Sequence, residues 1–443
     1  YGEALPAMAA VTLRVTSLSG ACTELRVKSD STISDILKQL VPPRALPLSQ
    51  LVLGTVVVPR ELSVGEAGLA EGQEVIEVQL LQSRDLLECG SAAESGRDPR
   101  SLQAVLIPPS LTTIADGAFA DCTALSEVQI PDSVTSVGSD AFRGCSSLVD
   151  VRIPETVTAV GDFCFEDCSA LSHIHMPTRV VSIPEACFAG CKSLKEVQIP
   201  PLVASIECGA FSGCSSLGEI QLPGAVTHVA GGAFEDCSSV KEVQIPDSVS
   251  VISEFCFSGC VSLSKIQMPD SVTHIKEGAF EGCSSLREVY IPASVTQIAS
   301  SAFKHCTSLR RLQIPDSVTE ISWSCFRGCT SLTEVNIPET ATCIGHDAFK
   351  DCTSLSKLRI SGAMMGIGEG AFEGCISLCE VAIPSSMTYI RDSSFAGCTA
   401  LCNVEIPASV THIGDKAFAG CVSLGEVRIP NSLTYIGDGA FES

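Results

Sequence analysis

Aromatic residues are scarce in this chain, at 5% of 443 residues with a single tryptophan, and basic residues are outnumbered. Lys and Arg total 28 against 51 Asp and Glu, for a formal net charge of −23. That balance excludes a surface built for nucleic acid or anionic lipid, both of which need clustered cations. No apolar run approaches the length of a membrane span, so membrane insertion is not expected. Glu3 stands where a secretory leader carries a cation, and no long apolar core follows it, which points to an intracellular, cytoplasmic location. A cell-surface location becomes the expectation if sequence precedes Tyr1, Met8 being a second possible start. Gly-rich phosphate loops and nucleophile elbows are also missing, and seven scattered His form no base–nucleophile set, so neither an enzyme nor a bound cofactor is expected.

What is abundant is repetition. "AFADCTALSEVQIPDSVTSV" at 118–137 returns 115 residues later as "AFEDCSSVKEVQIPDSVSVI". The period is 23: Phe recurs from Phe119 to Phe441, Cys from Cys122 to Cys421, and Ile, Met or Leu from Ile107 to Ile429. Proline follows the last column in every turn but one, Ile360-Ser361, where a local kink is expected. Fixed periods of this length indicate stacked architectures, in which no single turn can bury its apolar side chains alone.

Within a turn, Val128 and Ile130 alternate with Glu127 and Gln129, the period of a half-buried strand. Pro131 lacks an N–H for a ladder and closes the strand. A second short extended piece is expected over 134–137, and Ala118-Phe119 and its equivalents read as one helical or 3₁₀ turn. The residue before each ladder cysteine is Gly nine times, Asp four times and His once, which predicts a left-handed backbone position there. Stacked at about 4.8 Å per strand, fifteen turns would span roughly 67 Å. The expectation is an α/β repeat solenoid.

The 24 cysteines do not read as a disulfide framework. Neighbouring turns bring the ladder cysteines near bridging range, but inward-pointing parallel side chains favour buried free thiols acting as small hydrophobes. Cys164, Cys187, Cys256 and Cys325 make C-x-x-x-C pairs yet occupy the alanine column, where core filling outweighs zinc binding.

The outward columns carry the candidate function. Before the Val column the signs alternate strictly from Glu242 to Glu380, a self-satisfied stretch. Glu196, Glu219 and Glu242 instead stack three like charges, with Lys195 and Lys241 able to fold over them. Beside them run Gln198, Gln221, Gln244 and Gln267, which could hydrogen-bond along the stack. Residues 173–244 are therefore the candidate acidic and amide surface for a basic protein partner. His173 and His175 share this face with Asp150, and these histidines read as polar surface residues in preference to zinc ligands. Tyr290 is the one aromatic in the two columns, so hot-spot residues are few. Trp323 falls before the Phe column and reads as packing.

"CSSLREVYIPASVTQIASSAF" at 283–303 resembles the BspA-like (Treponema-type) leucine-rich repeats, a resemblance spanning about 340 residues. It implies a right-handed solenoid with a parallel strand sheet on one face over residues 101–443, about fifteen repeats with the last incomplete. Family members are often surface proteins that bind host matrix or other cells.

The period is absent before about residue 101. "VTLRVTSLSGACTELRV" (11–27) reads as a hairpin, "STISDILKQL" (31–40) as a helix, and "QLVLGTVVV" (50–58) and "EVIEVQL" (74–80) as strands. This order resembles ubiquitin-like (β-grasp) domains over residues 10–81, after a disordered 1–9 and before a linker at 82–100. No Gly-Gly follows Leu81, which argues against conjugation, and Glu77 and Gln79 stand where that family exposes aliphatic side chains. The combined reading is a non-enzymatic protein-interaction scaffold whose oligomeric state the sequence leaves open. A cell-surface adhesion protein is the alternative.

Overall fold

The computed structural model describes residues 102–107 and 109–442, together with the backbone of five strands between 10 and 82. Those five are β1 (Ala10–Ser17), β2 (Cys22–Lys28), β3 (Ser49–Leu53), β4 (Val56–Val57) and β5 (Ile76–Gln82). They form one sheet in the order β2-β1-β5-β3-β4. β1 pairs antiparallel with β2 and parallel with β5, and β3 pairs antiparallel with β5. The helix expected over 31–40, the terminus 1–9 and the linker beyond Gln82 lie outside the described residues.

From residue 102 onward the chain winds as a solenoid with a 23-residue step. Each turn lays down a short strand such as Asp150–Arg152, then a second such as Ala159–Val160, and returns through a tight turn. Pairing between turns is parallel and in register, Asp150 beside His173 and Val151 beside Ile174. The second strands stack likewise, Ser205 beside His228 and Ile206 beside Val229. The expected extended piece at 134–137 shortens to Ser136–Val137, because the Val134 N–H turns back to the Pro131 carbonyl at 3.0 Å.

No helix occurs among the described residues, which corrects the α/β expectation: the solenoid is built of strands and turns. Backbone donors around Phe119 show why. Ala118, Ala120 and Cys122 donate three residues back within the turn, to Ala115, Gly117 and Phe119. The alternating donors Gly117, Phe119 and Asp121 reach forward to carbonyls of Ser139, Ala141 and Arg143 in the next turn, at 2.7–2.8 Å. A 3₁₀ helix would keep all six bonds to itself. Left-handed residues at Gly117 (φ 61°) and Asp121 (φ 59°) rotate every second N–H outward and thereby glue turn to turn.

The expected left-handed column is present at all fourteen positions from Asp121 to Gly420. A second such column runs from Gly117 to Gly439 and includes Phe163, Ala186, Phe255 and Lys416, residue types that rarely adopt this conformation.

The core consists of columns. The phenylalanines from Phe119 to Phe441 stack without interruption, with ring centroids 5.2–5.7 Å apart and planes within 17° of parallel. The ladder cysteines are buried, and those from Cys145 to Cys421 are free thiols. Each from Cys145 to Cys421 donates its thiol to a phenylalanine carbonyl 26 residues earlier, as Cys283 does to Phe257 at 3.2 Å. That carbonyl also accepts the N–H of its own turn's cysteine, so both its lone pairs are used inside the core. Cys164, Cys187, Cys256 and Cys325 fill the alanine column, all essentially inaccessible.

Along the first strand column the ladder is segmented. It runs through four strands to His173–His175, lapses at 196–198, and resumes at Ile220–Gln221. Further gaps separate Lys265–Gln267 from Glu288–Val289 and Lys357–Arg359 from Glu380–Ala382. The last of these falls at Ser361, which replaces the proline. Its buried hydroxyl donates to the Glu339 carbonyl at 2.9 Å and accepts from the Ala363 N–H at 3.0 Å.

Candidate protein-binding face

The first strand of most turns exposes its flanking residues and buries the middle one, as in Glu242–Gln244, Lys265–Gln267 and Glu380–Ala382. Alternation therefore places Asp150, His173, His175, Glu196, Gln198, Glu219, Gln221, Glu242, Gln244 and Tyr290 on one exposed face. Register brings Asp150 beside His173, and Gln221 beside Gln244.

Within this set the structure separates engaged groups from available ones. The His175 Nε2 meets Glu155 at 3.2 Å. Glu155 also accepts the N–H and hydroxyl of Thr178 at 2.9 and 2.7 Å. Those two bonds, then His175, hold the Glu155 carboxyl below the usual carboxylate range. His173 Nδ1 lies 2.9 Å from the Ser172 hydroxyl. Both histidines are thus tied to surface partners, and no group of three potential ligands converges among the described residues.

Glu242 is paired with Lys265 of the next turn, and Gln267 Nε2 adds a longer contact at 3.5 Å. It is the one ion pair closed in the alternating column among the described residues, although Glu288, Arg311, Glu334 and Lys357 sit side by side in register. The expected triple acidic stack is thereby reduced to Glu196 and Glu219, which make no ion pair among the described residues. Nor do the four glutamines hydrogen-bond to one another there. The amides of Gln198, Gln221 and Gln244 are available along the face, while that of Gln267 is turned to Glu242.

An open depression of 1040 Å³ lies where the acidic and amide columns meet, lined among others by Glu219, Gln221, Lys241, Glu242, Gln244 and Asp247. Gly218 and Gly224 form part of its wall, where neighbouring turns carry Lys241 and Asp247. Loss of those two side chains opens the space, immediately beside the ladder gap at 196–198.

Trp323 is 62% exposed and lies edge-on to His346, with centroids 5.4 Å apart. A Cβ on Gly345 would come within 2.7 Å of the indole and 2.8 Å of the Trp323 backbone nitrogen, so only glycine fits where these two turns meet. A second aromatic group escapes a reading confined to the first strand. Tyr389, His412 and Tyr435 stack along the second strand column, 5.8 and 6.0 Å apart, and Arg391 lies 5.9 Å over Tyr389. Asp415, with help from burial and Asp438, pushes the Tyr435 hydroxyl up. The sequence signal was there, as T-Y-I and T-H-I recurring at the period of the repeat.

The cysteines divide sharply. Burial pushes the ladder thiols far up, with Cys168, Cys214 and Cys260 raised to about 12. Cys208, Cys379 and Cys402 are exposed.

Comparison with known proteins agrees with the geometry. The family model described as the BspA type leucine rich repeat region matches residues 98–218, 204–333 and 319–443. A leucine-rich repeat protein from Bacteroides ovatus is 32% identical, with 69% of this chain and 87% of that one covered and a TM-score of 0.59. A leucine rich cell surface protein from Faecalibacterium prausnitzii is 28% identical over 73% of this chain and 89% of that one, with a TM-score of 0.45. No curated protein matches the chain.

Proposed function

The chain belongs to the BspA-type leucine-rich repeat family, and from that premise we propose that it is a non-enzymatic protein-interaction scaffold that binds a basic protein through its exposed strand face. The observation that carries this reading is the open depression at Glu219, Gln221 and Gln244, with Glu196 and Glu219 left without ion pairs beside it among the described residues. Carboxylates and amides of this kind discriminate partners by charge and register, and they raise the rate of encounter with a cationic surface. The repeat columns account for most polar side chains without recourse to catalysis: Thr and Ser hydroxyls mostly donate to carbonyls one turn back, as Thr135 does to Thr112.

Residues 10–81 complete the proposal as a ubiquitin-like module that docks to a separate partner. Support comes from the strand order β2-β1-β5-β3-β4 with its parallel central pair. An intracellular location fits ladder thiols that donate to carbonyls and form no disulfide.

The test is affinity capture from native lysate with the full chain and with its E196K/E219K variant. Both positions are exposed, so the fold should survive, which circular dichroism checks. The reading predicts a basic protein captured by the wild type and lost from the variant. Equal capture by both would remove the acidic face from the account.

A further inference from the structure

Three arginines gather where the first strands of two turns begin, away from the acidic depression. Arg287, Arg310 and Arg311 are all exposed, and they come from two adjacent turns. The Arg310 N–H donates to the Arg287 carbonyl at 3.0 Å, so these two side chains leave the backbone at matching positions, one strand spacing apart. Arg311 sits between Glu288 and Glu334 in register, with neither carboxylate closing an ion pair to it. Tyr290, 69% exposed, projects from the same turn as Arg287.

None of the three guanidinium groups makes an ion pair among the described residues, although the part of the chain beyond residue 100 carries 38 acidic side chains against 19 basic ones. The column of Arg287 and Arg310 offers no acid of its own: Ser264 precedes them and Thr333 follows. Like charges on adjacent strands repel, and that repulsion is relieved when an anion bridges them. Guanidinium groups bind carboxylates through two parallel N–H···O bonds, and Arg and Tyr are the residue types enriched where binding energy concentrates.

We propose that Arg287, Arg310, Arg311 and Tyr290 form a second binding site on the strand face, which takes a carboxylate-rich peptide segment of a protein partner. An extended segment lying across the turns would place successive carboxylates over Arg287 and Arg310, with Tyr290 packing against the segment's aliphatic carbons. The face would then hold chemically opposite sites at different turns, one for cations near Glu219 and one for anions near Arg310. This site does not depend on the acidic one, and the two fail separately.

The experiment is fluorescence anisotropy with a labelled oligo-glutamate peptide and the full chain at low ionic strength, repeated with R287Q/R310Q/R311Q, with the matching triple lysine variant, with Y290A and with E196K/E219K. Binding by the wild type is expected, weakened at least about tenfold in the glutamine variant. The lysine variant should fall between, since it keeps charge but loses the fork, and Y290A should weaken binding at unchanged charge. E196K/E219K should bind no more weakly than wild type. Absence of wild-type binding, or a glutamine variant that binds as well as wild type, would overturn the proposal. So would preference for a single-stranded oligonucleotide of matched charge, since the site would then be a phosphate-backbone site.

Discussion

Replacing Phe234 by alanine tests the idea that the stacked phenylalanine column ties the turns together. Phe234 is fully buried and lies between two rings, 5.4 Å from Phe211 and 5.6 Å from Phe257, with planes within 5° of parallel. Truncating a buried phenylalanine costs about 3–5 kcal/mol through lost transfer energy and the cavity left behind. Each aromatic contact adds about 0.5–1.5 kcal/mol, and Phe234 loses two. Phe119 begins the column, stacks on Phe142 alone at 5.3 Å, and loses one. Phe234→Ala should therefore exceed Phe119→Ala by about 1 kcal/mol. Position adds a qualitative difference. In a nearest-neighbour array a central defect weakens the interfaces on both sides, so the urea transition of Phe234→Ala, followed by far-ultraviolet circular dichroism, should separate into two steps. Phe119→Ala should fray one end and leave a single transition. A cost below about 1 kcal/mol at Phe234, or equal costs at both sites, would refute the stacking argument.

Alkaline pH should unfold the solenoid steeply. A buried thiol with a raised pKa stays protonated in the folded chain while the unfolded chain releases its proton above about pH 9, so stability is full below that point and falls as pH rises toward about 12. At pH 10 the loss is on the order of 1 kcal/mol per thiol. Summed over the eighteen buried cysteines, that is comparable to the whole stability of an ordinary domain, and ellipticity retained at pH 11 would contradict it. Iodoacetamide on the folded chain should label Cys208, Cys379 and Cys402 and spare the buried ladder, as peptide mass mapping would show; modification of Cys283 without denaturant would count against burial. Gly213→Ala, where φ is 71° and the nearest outside atom would lie 3.6 Å from the new Cβ, should cost about 1–2 kcal/mol in thermal unfolding. Gly278→Ala should cost more, because the Phe255 ring occupies the space a Cβ would need.

Much of this fold was legible because identical residues must occupy identical environments in a stack. Phe, Cys, Leu and Ile columns declared the core, and the Gly, Asp or His before each cysteine declared a left-handed residue at every turn. The second left-handed column was harder to see because its Gly and Asp residues are interrupted by Phe163, Ala186, Phe255, Ser301 and Lys416, residue types that rarely adopt this conformation. There the backbone is held by the forward hydrogen bonds between turns, a tertiary effect that overrides local preference. The same bonds explain why Ala118-Phe119 looked helical and is not. On the candidate face, the residues from Asp150 to Gln244 and Tyr290 are exposed as alternation implied, while Glu127 is half-buried. Which charges remain available was another matter: Glu242 stacks below Glu219 in sequence, but its side chain turns to Lys265. Side-chain choice between two neighbours is set by geometry that a column of letters does not contain.

The most direct measurement of the central claim is site-specific photocrosslinking in native lysate. A photoreactive residue is placed at Gln221, within the depression on the first strand face, and in a second chain at Gln297, which points outward from the second strand stack. The account predicts a discrete protein adduct from position 221 that is absent from position 297 and absent when E196K/E219K is present. An adduct from position 297 alone, or one at 221 indifferent to the charge reversal, would contradict it.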